Sequence, residues 1–304
     1  VKLSERQLVL LSVALSAAVI AAALSALALR RPPAPPAAGA GYVAVVRIDG
    51  PIAYRTSQLA LLGLTASVDD ILKLLDSALR DPLAKAVVLR VNSPGGSAAA
   101  SEALYLKVRE LAAAKPVVAY IEEYGTSGAY MAVLPAARIL ASNSSIVGAV
   151  GVYASVITYS GLFEKLGVRV YVFKSGELKD VGSPFREPSE EDKRVLQSIV
   201  DGVFNLFKER VLAHRRIANA SEVFSGRPFL AGEAVELGLI DGVGVLDDAI
   251  DLARRMAGLP KGAPARELKP PSPGLLRLLL GGASLAQMPV VPRVEVLAMW
   301  PPPG

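Results

Sequence analysis

Two kinds of apolar spacing alternate along the chain from about Tyr42 to Gly258. Val43 to Ile48, Ala86 to Val91, Val117 to Ile121 and Val168 to Phe173 are short runs of β-branched and aliphatic residues, the pattern of buried strands. Between them the spacing lengthens to a helical period. Ser67 to Arg80 carries an N-cap serine with Asp70 three residues on, a capping-box variant. A second helix is expected at about Ala98 to Ala113. A long one follows Pro188-Ser189, roughly Glu190 to Arg216, with Val195, Ile199, Val203 and Phe207 along one stripe. The last is Leu246 to Met256. This strand–helix–strand rhythm predicts an α/β domain with largely parallel strands. Fold class alone does not assign a function.

The ends of the chain follow other rules. Leu8 to Leu29 is an uncharged run of 22 residues bounded by Lys2 and Arg6 before it and Arg30 and Arg31 after it. About 20 apolar residues suffice to cross a bilayer as a helix, so residues 8–29 read as a transmembrane anchor preceded by a flank, residues 1–7. A cleaved signal peptide is the competing reading, because Ala26-Leu27-Ala28 resembles a processing site, but its apolar part runs only about 7 to 15 residues. Positive charge at both ends leaves orientation undecided by charge. Residues 30–41 form a Pro/Ala-rich linker, residues 42–258 the patterned domain, and residues 259–304 a Pro-rich tail whose apolar piece, Leu275 to Leu280, is too short to span.

Composition removes several functions. The chain has no cysteine, hence no disulfide framework and no thiolate nucleophile, and its one histidine, His214, makes a histidine-rich metal site an unsuitable reading. No cofactor is expected. The net charge of +5 is modest and its basic residues are dispersed, so nucleic acid is not the expected partner.

Three loops carry candidate chemistry. Asn92-Ser93-Pro94-Gly95-Gly96-Ser97 sits where a strand gives way to a helix. Glycines there let the backbone approach a ligand, and free N–H groups can hold an oxyanion; a simple turn is the plainer alternative. Glu122 to Tyr130 places Ser127 before Gly128, after a strand and before a helix. Such a serine is displayed as in a nucleophile elbow, though without G-x-S-x-G spacing, or it merely caps the helix. Lys174 to Pro184 is an irregular loop carrying Lys179. A loop lysine is ordinarily solvated. A serine nucleophile needs a base, however, and His214 lies in the basic run Arg210 to Arg216 on a helix. A lysine whose pKa is lowered by burial can serve instead.

Together these loops resemble the signal peptide peptidase A type of Ser-Lys protease, with the Clp/crotonase fold. The similarity covers Tyr42 to Met256, about seven-tenths of the chain. It rests on Ser93-Pro94-Gly95-Gly96, on Ser127-Gly128-Ala129-Tyr130, and on Ser175-Gly176-Glu177-Leu178-Lys179-Asp180 followed by Ser183-Pro184. The Ser127-to-Lys179 separation of 52 residues resembles that of the short members. It is longer than in the related Ser-Lys family associated with stomatin-like proteins.

The resemblance implies a repeated β-β-α superhelix with largely parallel sheets. It implies Ser127 as nucleophile, Lys179 as general base, and the N–H groups of Gly95 and Gly128 as oxyanion donors. It further implies hydrophobic peptide substrates such as remnant signal peptides, a homo-oligomer, and a catalytic domain outside the plasma membrane. One position departs from the pattern. Where short members place a serine that hydrogen-bonds the lysine, in the loop Gly148-Ala149-Val150-Gly151, this chain has Ala149. Two other classes share some of these features. A crotonase-type acyl-CoA enzyme would use the glycine turn without needing Lys179 or an anchor, and a noncatalytic membrane-associated scaffold would need neither dyad residue.

Overall fold

The computed structural model describes residues 41–54, 67–270 and 295–299. The expected anchor at 8–29 lies outside them, and among the described residues no helix is long and apolar enough to cross a membrane. In chain order the described elements begin with β1 (Tyr42–Asp49), α1 (Val68–Arg80), β2 (Ala84–Ser93), β3 (Gly95–Ser97) and α2 (Ala98–Ala114). Next come β4 (Val117–Thr126), α3 (Gly128–Val133), β5 (Arg138–Ala141), β6 (Ile146–Gly148), β7 (Tyr153–Ser155) and α4 (Ser160–Lys165). A 3-10 turn (Glu177–Asp180) precedes α5 (Glu190–His214), α6 (Ala220–Val223), β8 (Pro228–Leu230) and α7 (Ala231–Glu236). β9 (Gly242–Val243), α8 (Leu246–Met256), β10 (Ala265–Glu267) and β11 (Glu295–Met299) complete the order.

β1 shows how the sheet is built. Ala44, Val46 and Ile48 face one side and Val43 and Val45 the other, and all are buried. A strand covered on both faces reads as a continuous apolar run, which is why it was legible. The main sheet runs β10-β1-β2-β4-β5-β9 with every pair parallel. β6 continues it in parallel beside the end of β4, and β8 closes that corner antiparallel to β6. Helices α1, α2 and α3 cover one face; α8 covers the other, its Ala249, Ile250 and Ala253 lying on Val43, Val45, Ala86, Val88 and Val118. The result is an α/β layered domain with a largely parallel sheet, as the alternating periods predict.

Ser67 caps α1 as expected, accepting from the Asp70 N–H at 3.4 Å and donating its hydroxyl to the Asp70 carboxylate at 3.1 Å. The expected strand Val168 to Phe173 is a correction. It forms no ladder, and all six of its side chains are exposed, Phe173 to 95%. Strand preference reflects pairing and burial, and this run has neither among the described residues. The stripe on α5 is likewise only part-used: Phe207 and Val211 are buried, whereas Ile199 is exposed.

Candidate active site

The site grows from the ends of β2 and β4, which lie side by side. Their ladder sets Ser93 opposite Gly125, after an irregularity between Val91 and Ser93. The Asn92 side-chain oxygen accepts from the Tyr124 N–H at 3.2 Å and locks the two strand ends together. The glycine turn and the serine turn therefore leave the sheet as neighbours.

Ser127 stands between Thr126, the last residue of β4, and Gly128, the first of α3, with φ 54° and ψ −121°. No linking residues soften the reversal, so the strain falls on Ser127 itself. Among the described residues only Ser127 and Ala149 combine a side chain with positive φ. Such conformations are costly and cluster where a site demands them. The two are joined through the Gly148 loop. The Ser127 N–H donates to the Gly148 carbonyl at 2.6 Å, and its Oγ lies 3.4 Å from the Gly151 carbonyl. The hydroxyl makes no capping bond to α3, so the plainer role of a helix cap is not what the geometry shows.

Gly95 has φ 97°, a backbone shape that favours glycine, and its N–H donates to the Ser93 hydroxyl at 3.2 Å. An oxyanion at Gly95 would share that N–H with Ser93 or displace it. Gly128, as the first helical residue, has an N–H with no acceptor inside its helix. Gly96 has a different duty. A Cβ there would run onto the Ile52 carbonyl oxygen and lie 2.6 Å from the Ile52 nitrogen. That close approach lets the Ile52 N–H donate to the Gly95 carbonyl and the Ser97 N–H donate to the Ile52 carbonyl, both at 2.8 Å.

Lys179 lies on the 3-10 turn and is exposed, beside a shallow hollow lined by Ser175, Leu178 and Glu191. The structure thus sets the Gly95 turn beside the Ser127–Gly128 turn, with Ser127 buried and Lys179 exposed. The turn itself is firmly held. Arg186 grips Asp180 with two hydrogen bonds, at 2.9 and 3.0 Å, and Lys174 adds a third at 2.7 Å. The same guanidinium pairs with Asp192, whose carboxylate also accepts from the Ser189 N–H in the capping box of α5. Arg186 therefore clamps the lysine turn to a helix start. Asp180 beside Lys179 was the sequence signal for this network, but its partner could not be read from spacing. His214, the one histidine, bonds the Tyr105 hydroxyl at 2.9 Å on α2 and takes no part in the serine turn. Among the described residues no cluster of three acidic or histidine side chains could hold a metal ion.

The guanidinium of Arg186 holds the Asp192 carboxyl at about 2, below its ordinary 3.8, and holds Asp180 lower still. Both carboxylates are stabilised in charged form by folding, so their contribution is complete above about pH 4 and fades as pH falls toward 2. The chain is expected to lose stability progressively across that window in thermal melts. Arg186→Leu should flatten this part of the curve.

The family model of peptidase family S49 matches residues 109–260. A candidate protease of Methanocaldococcus jannaschii is 40% identical over 190 residues, covering 62% of this chain and 61% of that protein. A candidate protease of Synechocystis is 35% identical over 205 residues, covering 66% and 74%. The chloroplastic serine protease SPPA of Arabidopsis thaliana is 29% identical over 248 residues, covering 80% and 37%. The matches therefore span about three-fifths of the first of these relatives and under two-fifths of the last. Among solved structures, the 1510-N membrane-bound stomatin-specific protease aligns with TM-score 0.46 at 16% identity, over 77% of this chain and all of that one. This chain belongs to peptidase family S49, and its relationship is to serine proteases of the SppA type.

Proposed function

We propose that the protein is a serine endopeptidase that cleaves hydrophobic peptides with Ser127 as nucleophile and Lys179 as general base. The observation that carries this reading is the turn at Ser127. A buried serine in a strained strand-to-helix junction, its hydroxyl unused as a cap, sits beside a glycine turn that can meet an oxyanion. In this reading the sheet follows the Clp/crotonase arrangement. A neutral Lys179 amine takes the Ser127 proton as Oγ attacks the peptide carbonyl carbon. The N–H groups of Gly128 and Gly95 face the resulting oxyanion, each such donor contributing about 3 kcal/mol to barrier lowering. Collapse of the intermediate expels the amine with the proton carried by Lys179. Water, deprotonated by the same lysine, then releases the acyl group from Ser127.

The exposed position of Lys179 supports a base delivered between copies of the chain. The run Val168 to Phe173, which precedes the lysine turn in the chain, and Leu178 within that turn present apolar side chains that one copy leaves exposed. Such a surface on a folded protein marks an interaction site, and a second copy would both cover it and bring Lys179 to Ser127. Membrane attachment through residues 8–29 would hold this assembly near apolar substrates, with the catalytic domain outside the plasma membrane.

Mixing two inactive proteins tests the shared site. Ser127→Ala and Lys179→Ala, each without activity alone, are expected to regain about a quarter of parental activity per site when unfolded and refolded together in equal amounts. Random pairing gives one site in four both intact residues. No recovery in an assembly shown by mass to be mixed would place base and nucleophile in one chain.

A further inference from the structure

The segment Ser183-Pro184-Phe185-Arg186-Glu187 leads from the lysine turn toward α5 and is fastened to three parts of the chain at once. Toward the turn, the Ser183 N–H donates to the Asp180 carbonyl at 2.9 Å, and Arg186 forks onto the Asp180 carboxylate. Toward α5, the same guanidinium donates to Asp192, whose side chain is 1% exposed and completes the capping box with Ser189. Toward α4, the Pro184 carbonyl accepts from the Tyr159 N–H at 2.7 Å, and Phe185 stacks on Phe163 with ring centroids 5.9 Å apart. Glu187 accepts from the Thr158 and Ser160 hydroxyls at 2.8 and 2.9 Å.

None of the residues Glu177–Asp180 is buried, so the turn is held by these polar contacts and not by packing of its own side chains. Lys174 is engaged in the same network, bonding the Asp180 carboxylate and the Glu177 carbonyl at 2.7 Å each. The Lys179 amine makes no hydrogen bond or ion pair among the described residues. Its backbone is fixed while its tip stays unengaged. A planar guanidinium that meets two carboxylates fixes direction as well as distance, which a point charge does not. A base on a flexible four-carbon stem gains most from such support, because rate depends on where its tip can be held.

We propose that Arg186 is a positioning residue for Lys179, fixing the lysine turn against the start of α5 so that the amine is presented at a set place to the nucleophile. This deepens the Ser127–Lys179 reading and rests on it. It holds whether Ser127 belongs to the same chain or to a second copy, because the whole network lies within residues 158–192. Arg186 acts only through the lysine, so its effect should vanish when the lysine is gone.

The test compares Arg186→Leu in the full chain with and without Lys179. Misplacing a catalytic group by about 1 Å costs on the order of 10²-fold, so kcat on an apolar reporter peptide should fall by about that factor while KM stays within about twofold. Labelling of Ser127 by a fluorophosphonate, followed by mass spectrometry, should slow by a comparable factor. In a Lys179→Ala background, adding Arg186→Leu should slow labelling by less than about twofold, since no lysine remains to be aimed. Asp180→Asn is the second variant. It weakens the grip on the turn but keeps the Arg186–Asp192 pair and the α5 cap, so it should fold even if Arg186→Leu, which strands the buried Asp192 carboxylate, does not. The same pattern is expected there at smaller size, about tenfold in kcat. Thermal melts at neutral pH identify the folded variants. Parental kcat in a folded Arg186→Leu or Asp180→Asn protein overturns the proposal and leaves the dyad standing. Equal slowing of labelling with and without Lys179 also overturns it, because Arg186 would then serve the fold and not the base. Parent protein that neither cleaves the peptide nor takes the label sinks the dyad reading, and this proposal with it.

Discussion

Replacing Ser127 with alanine should lower kcat/KM on an apolar reporter peptide by on the order of 10⁴-fold or more and leave the fold intact. That factor corresponds to about 5.5 kcal/mol of transition-state stabilisation. Lys179→Ala should cost about as much, and the double replacement little more than either, because a nucleophile without its base and a base without its nucleophile fail together. The fold should survive for reasons visible at the site. The chain already tolerates an alanine at positive φ, Ala149 at 48°, close to the 54° of Ser127. The hydroxyl makes no cap and only a 3.4 Å contact to the Gly151 carbonyl, so its removal costs at most about 1 kcal/mol of stability. Steady-state kinetics, thermal melts and labelling with a fluorophosphonate, which reacts with activated serines, check the three parts. Near-normal cleavage by Lys179→Ala would remove the lysine from the mechanism. Unlabelled parent protein would count against Ser127.

The parts of the molecule that declared themselves in the sequence are those whose pattern is set by burial within one chain. β1, β2 and β4 are covered on both faces, so each is a continuous apolar run. α1 carries its capping acid in place, and α5 begins just after Ser189, as its proline and serine suggest. The serine turn was legible because Gly125 and Gly128 bracket a serine between a strand pattern and a helix start, a local signal. Its strain was not, since φ at Ser127 follows from the direct junction of β4 and α3. Val168 to Phe173 misled for the opposite reason: its composition matches a buried strand, but nothing among the described residues buries it. The clamp Arg186–Asp180–Asp192 lies within 13 residues of sequence yet could not be inferred, because charged side chains in a loop carry no period. β10 and β11 come from a stretch that reads as Pro-rich. Strands of three and five residues are too short to outweigh the composition around them, and each is fixed by the edge it joins.

Gly96 is expected to be the least replaceable glycine of the site. Its added Cβ would meet the backbone of Ile52, its carbonyl oxygen, its nitrogen at 2.6 Å and its carbonyl carbon at 2.8 Å, rather than the movable end of a side chain. Relief requires β3 to move away from Ile52. That movement breaks the two 2.8 Å hydrogen bonds, Ile52 N–H to Gly95 and Ser97 N–H to Ile52, that hold the glycine turn. Two such bonds at about 1 kcal/mol each, with about 1 to 3 kcal/mol for the overpacking, give a loss of roughly 3 to 5 kcal/mol for Gly96→Ala. Activity should fall further than stability explains, because the same shift displaces the Gly95 N–H by an amount comparable to a hydrogen-bond tolerance, and misplacing one oxyanion donor costs about 10²- to 10³-fold in kcat. Gly161, in α4, is the contrasting site: nothing lies within 4 Å of a Cβ there. Gly161→Ala should be neutral or stabilising by up to about 1 kcal/mol, through the unfolded chain. Urea denaturation of both variants, with kcat measured under conditions where each is fully folded, separates the two effects. A Gly96→Ala protein that is destabilised but keeps parental kcat would show that the turn positions no oxyanion donor. A protein unaffected in both would mean that Ile52 yields without cost.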